Sequence, residues 1–268
     1  MKMKLLIALM LFVVVGFVWG LIESNVIRVQ KYQLEQPDLK GLKIAFLSDF
    51  HYKNKYDSQK IKRAIRKVNK EKPDLIVLGG DYTEDQTSQL ETVFGLIKEL
   101  QAPLGVYYVT GNHDYLPGMV LHINELTTQY GIHSLNNMSY WITYNETRFK
   151  LGGIPDISHD HPKLDQTLDG VTKDDYVILI LHQPDYVMEL STSERERIDL
   201  VISGHTHGGQ ITFFGYAPYI PSKYGQRFRT GLVQFEEGLR LIVSNGVGET
   251  QIPLRYFAPA EVVIVEYI

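Results

Sequence analysis

The 268-residue chain has no cysteine. This removes disulfides, thiolate metal sites and cysteine nucleophiles together, so any metal must be held by histidine nitrogen or by carboxylate and amide oxygen. Positive charge is not in excess either: 27 Lys and Arg face 31 Asp and Glu, and the pI is near 6.1. A nucleic-acid backbone therefore finds no electrostatic footprint at the whole-chain level, and no specific nucleic-acid binding is expected. Internal repeats and low-complexity tracts are missing as well. What remains, with 44% hydrophobic residues, is the composition of one globular domain able to bury a large core.

Long apolar runs are scarce, with one exception at residues 5–22, which hold no charge and follow Lys2 and Lys4. As a helix this run is about 27 Å long, enough to cross a hydrocarbon core of about 30 Å. Val18-Trp19-Gly20-Leu21-Ile22-Glu23 offers no Ala-x-Ala cleavage pattern. We therefore expect an uncleaved single-pass anchor in the cell membrane, with secretion after signal cleavage as the alternative. The lysines keep the short amino-terminal end cytoplasmic and put the rest outside. The expected organisation is residues 1–4 cytoplasmic, 5–22 anchor, 23–41 a tether ending in an edge strand, and 42–268 the functional domain.

Within that domain, apolar runs of strand length occur at 44–47, 75–78, 106–109, 177–181 and 200–202. Helical spacing separates the first three, at 61–68 and 90–100, and a further helix is expected at 119–130. Segments 139–144 and 149–151 alternate around Asn145-Glu146-Thr147, and the last third, with runs at 232–235, 239–243 and 262–265, is strand-rich. The pattern predicts an α/β fold: two mixed β-sheets packed face to face as a sandwich flanked by helices.

Five short polar segments each follow an apolar run: Asp49-Phe50-His51, Gly80-Asp81, Gly111-Asn112-His113-Asp114, His182, and Gly204-His205-Thr206-His207. In an open α/β sheet the carboxyl ends of neighbouring strands converge on one crevice, so segments scattered along the chain can meet there. Their donors suit two divalent cations. Asp81 is the natural bridge, with Asp49, His51 and His207 on one ion and Asn112, His182 and His205 on the other. Extended backbone would point Asp49 and His51 to the same side. His113 is left as a general-acid candidate, with Asp114 expected to accept its ring hydrogen. Alone, Asp49 or Asp81 would read as a helix cap and His182 as a core histidine; the set of segments argues otherwise. His122 and His133 read as structural or surface residues, and His159-Asp160-His161 as a solvated loop.

These five motifs, in this order from residue 42 to the carboxyl terminus, resemble the calcineurin-like metallophosphoesterases. Gly208-Gly209-Gln210 and Pro253-Leu254-Arg255 are similar to the membrane-associated bacterial phosphodiesterases within that family. The resemblance implies a metal-dependent hydrolase of phosphoric esters, and it favours Mn or an Fe-containing pair among Mn, Fe, Zn and Co. Two divalent ions about 3.5–4 Å apart set hydroxide for in-line attack on phosphorus, and His113 would protonate the leaving alkoxide. A phosphodiesterase is expected; the alternatives are a phosphomonoesterase, a lipid or nucleotide-sugar pyrophosphatase, or, in another class, a non-catalytic anchored binding protein that had lost ligands. Beyond the last histidines, an aromatic and basic stretch from Phe213 to Phe228 would overhang the metals. Tyr216, Tyr219, Lys223 and Arg227 are its candidate substrate contacts, for a phosphate ester of lipid or envelope origin.

Overall fold

The computed structural model describes residues 2–268. The amino-terminal apolar run lies inside a longer helix, α1 (Lys2–Asn25), whose large side chains are exposed along most of its length. Strand β1 (Ile27–Leu34) follows at the edge of its sheet. It pairs in parallel with the last strand, β12 (Ala260–Tyr267), over all eight of its residues, so much of segment 23–41 is sheet rather than tether.

The chain then alternates β2 (Lys43–Leu47), α2 (Lys55–Glu71), β3 (Leu75–Leu78), α3 (Leu90–Ile97), β4 (Val106–Tyr108), α4 (Met119–Gln129) and β5 (Ile132–Ser134). The second half contains β6 (Met138–Tyr144), β7 (Thr147–Gly153), α5 (Leu164–Leu168), β8 (Tyr176–Ile180), α6 (Thr192–Arg195), β9 (Leu200–Ser203), β10 (Gly231–Gln234) and β11 (Arg240–Val243). Two six-stranded sheets result, ordered β1-β12-β2-β3-β4-β5 and β10-β11-β9-β8-β7-β6. The strand-rich last third is divided between them: β10 and β11 extend the second sheet, while β12 enters the first between β1 and β2.

The central strands β2, β3, β8 and β9 are apolar at nearly every position because both faces are covered. In β8, Tyr176, Ile178 and Ile180 pack between the sheets, while Val177 and Leu179 pack outward under α5 and the following turns. In β2, Ile44 and Phe46 face the sandwich and Ala45 and Leu47 face the helices. Helix α2 begins six residues before its first apolar position. Asn54 Oδ1 accepts the Tyr56 N–H at 2.9 Å and Asp57 Oδ2 accepts the Asn54 N–H at 2.9 Å, a reciprocal cap that fixes a polar first turn.

Candidate active site

Within each sheet the strands that lead into the polar segments are parallel: β2, β3 and β4 in one, β8 and β9 in the other. Their carboxyl ends open on the same crevice and bring Asp49, Asp81, Asn112, His182, His205 and His207 together with His51. Asp49 and His51 do not reach it along the extended backbone that their spacing suggested. Both sit in the left-handed region (φ 54° and 42°), as do Asp81 (57°), His205 (71°) and His207 (52°). Non-glycine residues pay roughly 1–3 kcal/mol for such conformations, which persist where the surroundings over-determine them and cluster at functional sites. Two glycines let backbone come close. A Cβ on Gly204 would stand 2.3 Å from Asp49 Oδ2, and one on Gly111 would stand 2.2 Å from Asp81 Oδ1.

The donors form two groups joined at one oxygen. In the first, His51 Nε2 and His207 Nε2 are 3.2 Å apart and Asp49 Oδ1 lies 3.6 Å from His207 Nε2. In the second, His182 Nε2 is 3.2 Å from His205 Nδ1 and 3.1 Å from Asn112 Oδ1. Asp81 Oδ2 stands between them, 3.4 Å from His51 Nε2 and 3.1 Å from His182 Nε2. Its other oxygen accepts the His113 N–H at 2.8 Å, which fixes the carboxylate's rotation.

These separations fit cations. With bonds of about 2.1 Å, ligands at the edges of an octahedron or tetrahedron stand about 3.0–3.4 Å apart. Two ring nitrogens 3.2 Å apart can share at most one hydrogen between them, so a cluster of lone pairs needs a positive charge at its centre. Without one, the titrations split. Burial opposes protonation of His182, but Asp81 outweighs it and pushes that imidazole up to about 10. Burial and the neighbouring His182 bring His205 down to about 4, and burial with His51 takes His207 well below its ordinary value. Asp81 is held well below the carboxylate range by His182 and His51 in spite of its burial.

Three expected details are corrected. The Asp114 carboxylate does not meet the His113 ring: Oδ2 accepts the Asp81 and Gly111 N–H groups at 2.8 Å each, and Oδ1 accepts that of Tyr82 at 3.0 Å. The tight turn at residues 112–114 points it back under the β3 and β4 ends, where burial and Asp81 push it up to about 7. The His113 ring instead has Nδ1 2.7 Å from the Glu84 carbonyl, which fixes the hydrogen there and leaves Nε2 free to exchange a proton. The aromatic stretch is the third correction. Of its four candidates only Tyr219 lines the cavity. The Lys223 N–H is tied to Asp185 Oδ2 at 2.7 Å, Arg227 stacks on Phe228 and Phe235, and Tyr216 turns outward beside Phe213.

Glu84 stands behind His51, and no motif announced it. Its Oε2 is 2.6 Å from His51 Nδ1, and its carboxyl pKa is brought down to about 2, because His51 and Lys53 outweigh its burial. His159 stacks on Tyr115 and pairs with Asp156, whose other oxygen accepts from Gln183 at 2.6 Å, so this loop braces the segment next to His182. His122 pairs with Glu125 on the surface and His133 packs against Tyr107. The site opens into a cavity of about 490 Å³. Its walls are His51, Asp81, Asn112, His113, His205 and His207 on one side and Gln210, Ile211, Pro218, Tyr219, Pro221, Thr250, Gln251 and Ile252 on the other.

A two-sheet sandwich with these carboxylate, amide and imidazole donors at its strand ends presents a candidate dinuclear metal site. The chain belongs to the calcineurin-like phosphoesterase family, whose model matches residues 42–209. It is 30% identical to the metallophosphoesterase YkuE of Bacillus subtilis, over 84% of this chain and 78% of that protein. It is 31% identical to a metallophosphoesterase of Aquifex aeolicus, over 91% and 93%. A transmembrane protein with metallophosphoesterase domain from Danio rerio is 31% identical over 84% of this chain, which spans only 52% of that protein. Among solved structures the fold is similar to TT1561 of Thermus thermophilus (TM-score 0.52, 12% identity, 78% of this chain and 92% of that one). It is also similar to a dimetal phosphatase from Danio rerio (TM-score 0.51, 14% identity, 80% and 90%).

Proposed function

We propose that this chain is a membrane-anchored phosphodiesterase that binds two divalent cations through Asp49, His51, Asp81, Asn112, His182, His205 and His207. The observation that carries the dinuclear reading is the position of Asp81 Oδ2, within 3.4 Å of a ring nitrogen from each donor group. When bound, the cations lower the pKa of water and polarise the phosphoryl oxygen. The chain's own groups do the rest. Asp81 is held in one rotation by the His113 N–H, and Glu84 holds the His51 ring. His113 keeps its Nδ1 hydrogen on the Glu84 carbonyl and offers Nε2 at the cavity wall to protonate the leaving alkoxide. Asp114 is a positioning residue, since its three N–H bonds shape the turn that carries Asn112 and His113.

A diester is preferred because, among the described residues, the cavity is lined by neither Lys nor Arg, while Ile211, Pro218, Tyr219, Pro221 and Ile252 form an apolar wall. Such a wall suits a monoanion with a second carbon substituent better than a dianionic monoester. An uncleaved anchor is supported by α1 itself: Gly16 O accepts from the Tyr256 hydroxyl at 2.9 Å and Ser24 Oγ donates to Glu249 Oε1 at 2.6 Å. With Lys2 and Lys4 inside, the catalytic domain faces outward. The test is turnover of bis- against mono-p-nitrophenyl phosphate by the Mn-loaded full chain in detergent. We expect the diester to be cut faster; the opposite ranking overturns the substrate assignment, and turnover of neither overturns the enzyme.

A further inference from the structure

The last part of α1 is not free of the domain. The Tyr256 hydroxyl reaches the carbonyl of Gly16, the Arg255 N–H reaches that of Gly20 at 3.3 Å, and a Cβ on Gly20 would strike the Tyr256 ring at 2.5 Å. Gly16 lies six residues before Ile22, the end of the apolar run. At about 1.5 Å per residue this places Tyr256 about 9 Å below the level of Ile22 along the helix. A domain that grips the helix there cannot stand clear of a bilayer that covers the whole run.

The surface beside Tyr256 is apolar and uncovered. Phe257 is 64% exposed and Ile252 45%. The segment around Thr212 is bound to the same place, because its N–H and hydroxyl both bond the Tyr256 carbonyl, at 2.8 and 3.2 Å, and Ile211 bridges to Tyr256. That contact ties the turn bearing Phe213 and Phe214 to Tyr256, the residue that grips the helix, with both rings in solvent. The same strip runs on into the cavity wall through Ile211 and Ile252.

We propose that Phe213, Phe214, Ile252 and Phe257 form a rim that dips into the phospholipid interface beside α1 and seats the cavity mouth on the bilayer surface. The inference rests on the anchoring read above and deepens it. Aromatic and aliphatic side chains buried about 5–10 Å into the headgroup boundary are the ordinary chemistry of an interfacial anchor, and the depth at Tyr256 falls in that range. The phosphoesters within reach would then be those presented at a membrane surface.

Because the chain has no cysteine, a single introduced thiol can carry an environment-sensitive dye. Phe214→Cys and Phe257→Cys, labelled and reconstituted as full chain in phosphatidylcholine vesicles, are compared with Leu121→Cys. Leu121 is exposed on α4, which packs on β5 at the sheet edge farthest from β1. All three side chains are exposed, so no packed site is emptied. Expected is a severalfold brighter emission at 214 and 257 that nitroxide-labelled lipid quenches, with neither effect at 121. Emission at 214 and 257 as weak as at 121 overturns the rim. Bright emission that the lipid probe leaves unquenched also overturns it, in favour of a protein contact. A chain that washes from the vesicles in carbonate overturns the anchor and the rim with it, and that failure is separately visible.

Discussion

The guanidinium of Arg255, fully buried, donates through Nη1 to the main-chain carbonyl of His207 at 3.1 Å. The same fork reaches Ala258 O at 2.9 Å, Asn245 O at 2.9 Å and Gly248 O at 2.5 Å, with Glu249 beside Nε. One cation thus ties the left-handed turn of a candidate ligand to the loop that grips α1. Removing it strands several buried carbonyls without a donor and leaves Glu249 with only Ser24 and Lys60. We expect Arg255→Ala to cost about 3–5 kcal/mol, read as the loss of thermal stability in detergent. Arg255→Lys keeps the charge but not the fork and should recover only part of it.

The two roles assigned at the site separate by mutation. Asp81→Asn removes one of the two carboxylate charges among the donors, the one that faces both groups, and both metals should be lost by elemental analysis. His113→Ala should keep its metal and lose turnover by about 10²–10⁴. Full activity of His113→Ala on an ester with a poor leaving group would exclude it as the acid.

Glu84 stands one step behind the candidate ligands. Its carboxylate at His51 Nδ1 orients that ring and raises its basicity. Glu84→Gln should weaken metal affinity by about 10–100-fold, measured by chelator competition, with little change in activity once metal is saturating.

Cation removal should also loosen the fold, because the donor groups join strands from both sheets. At a free metal concentration of about 100 times Kd, binding adds about 2.7 kcal/mol. Melting curves with EDTA should shift down by about 5–10 °C for a domain of this size, and excess metal should restore them.

A pH dependence follows from Glu261, which is buried beside Asn245. Burial pushes its carboxyl up to about 7, above its ordinary 4.5. Between pH 4.5 and 7 the folded state holds the proton more firmly than the unfolded chain, so stability falls as pH rises through this window. The penalty is absent below it and complete above it. Glu261→Gln should flatten that part of the curve when denaturant midpoints at pH 5 and pH 7 are compared with those of the unaltered chain.

Much of this protein could be read from its linear pattern for a simple reason. Strands covered on both faces are apolar at nearly every position, so β2, β3, β8 and β9 stand out, and the polar residues just past their ends stand out against them. Asp49, Asp81, Asn112, His182 and His205 were legible in that way. The helices' apolar stripes were equally plain, although the polar first turn of α2 depended on an Asn54 cap that periodicity does not register.

What the pattern could not carry is direction. Glu84 follows Asp81 by three residues with no motif around it, and only the left-handed backbone at Asp81 and His51 brings it to an imidazole. Asp114 and Arg227 carry chemistry suited to the site, yet local turns aim one under the strands and the other at aromatic faces. The sequence alone determined the sandwich and the apolar helix and singled out the candidate donors, because composition and periodicity fix what must be buried and what must be paired. Tertiary structure alone decided which side chains face the cavity and that α1 is held through Tyr256, a contact 240 residues apart. Such contacts depend on backbone turns and on where distant loops land, and neither leaves a local signature in the chain.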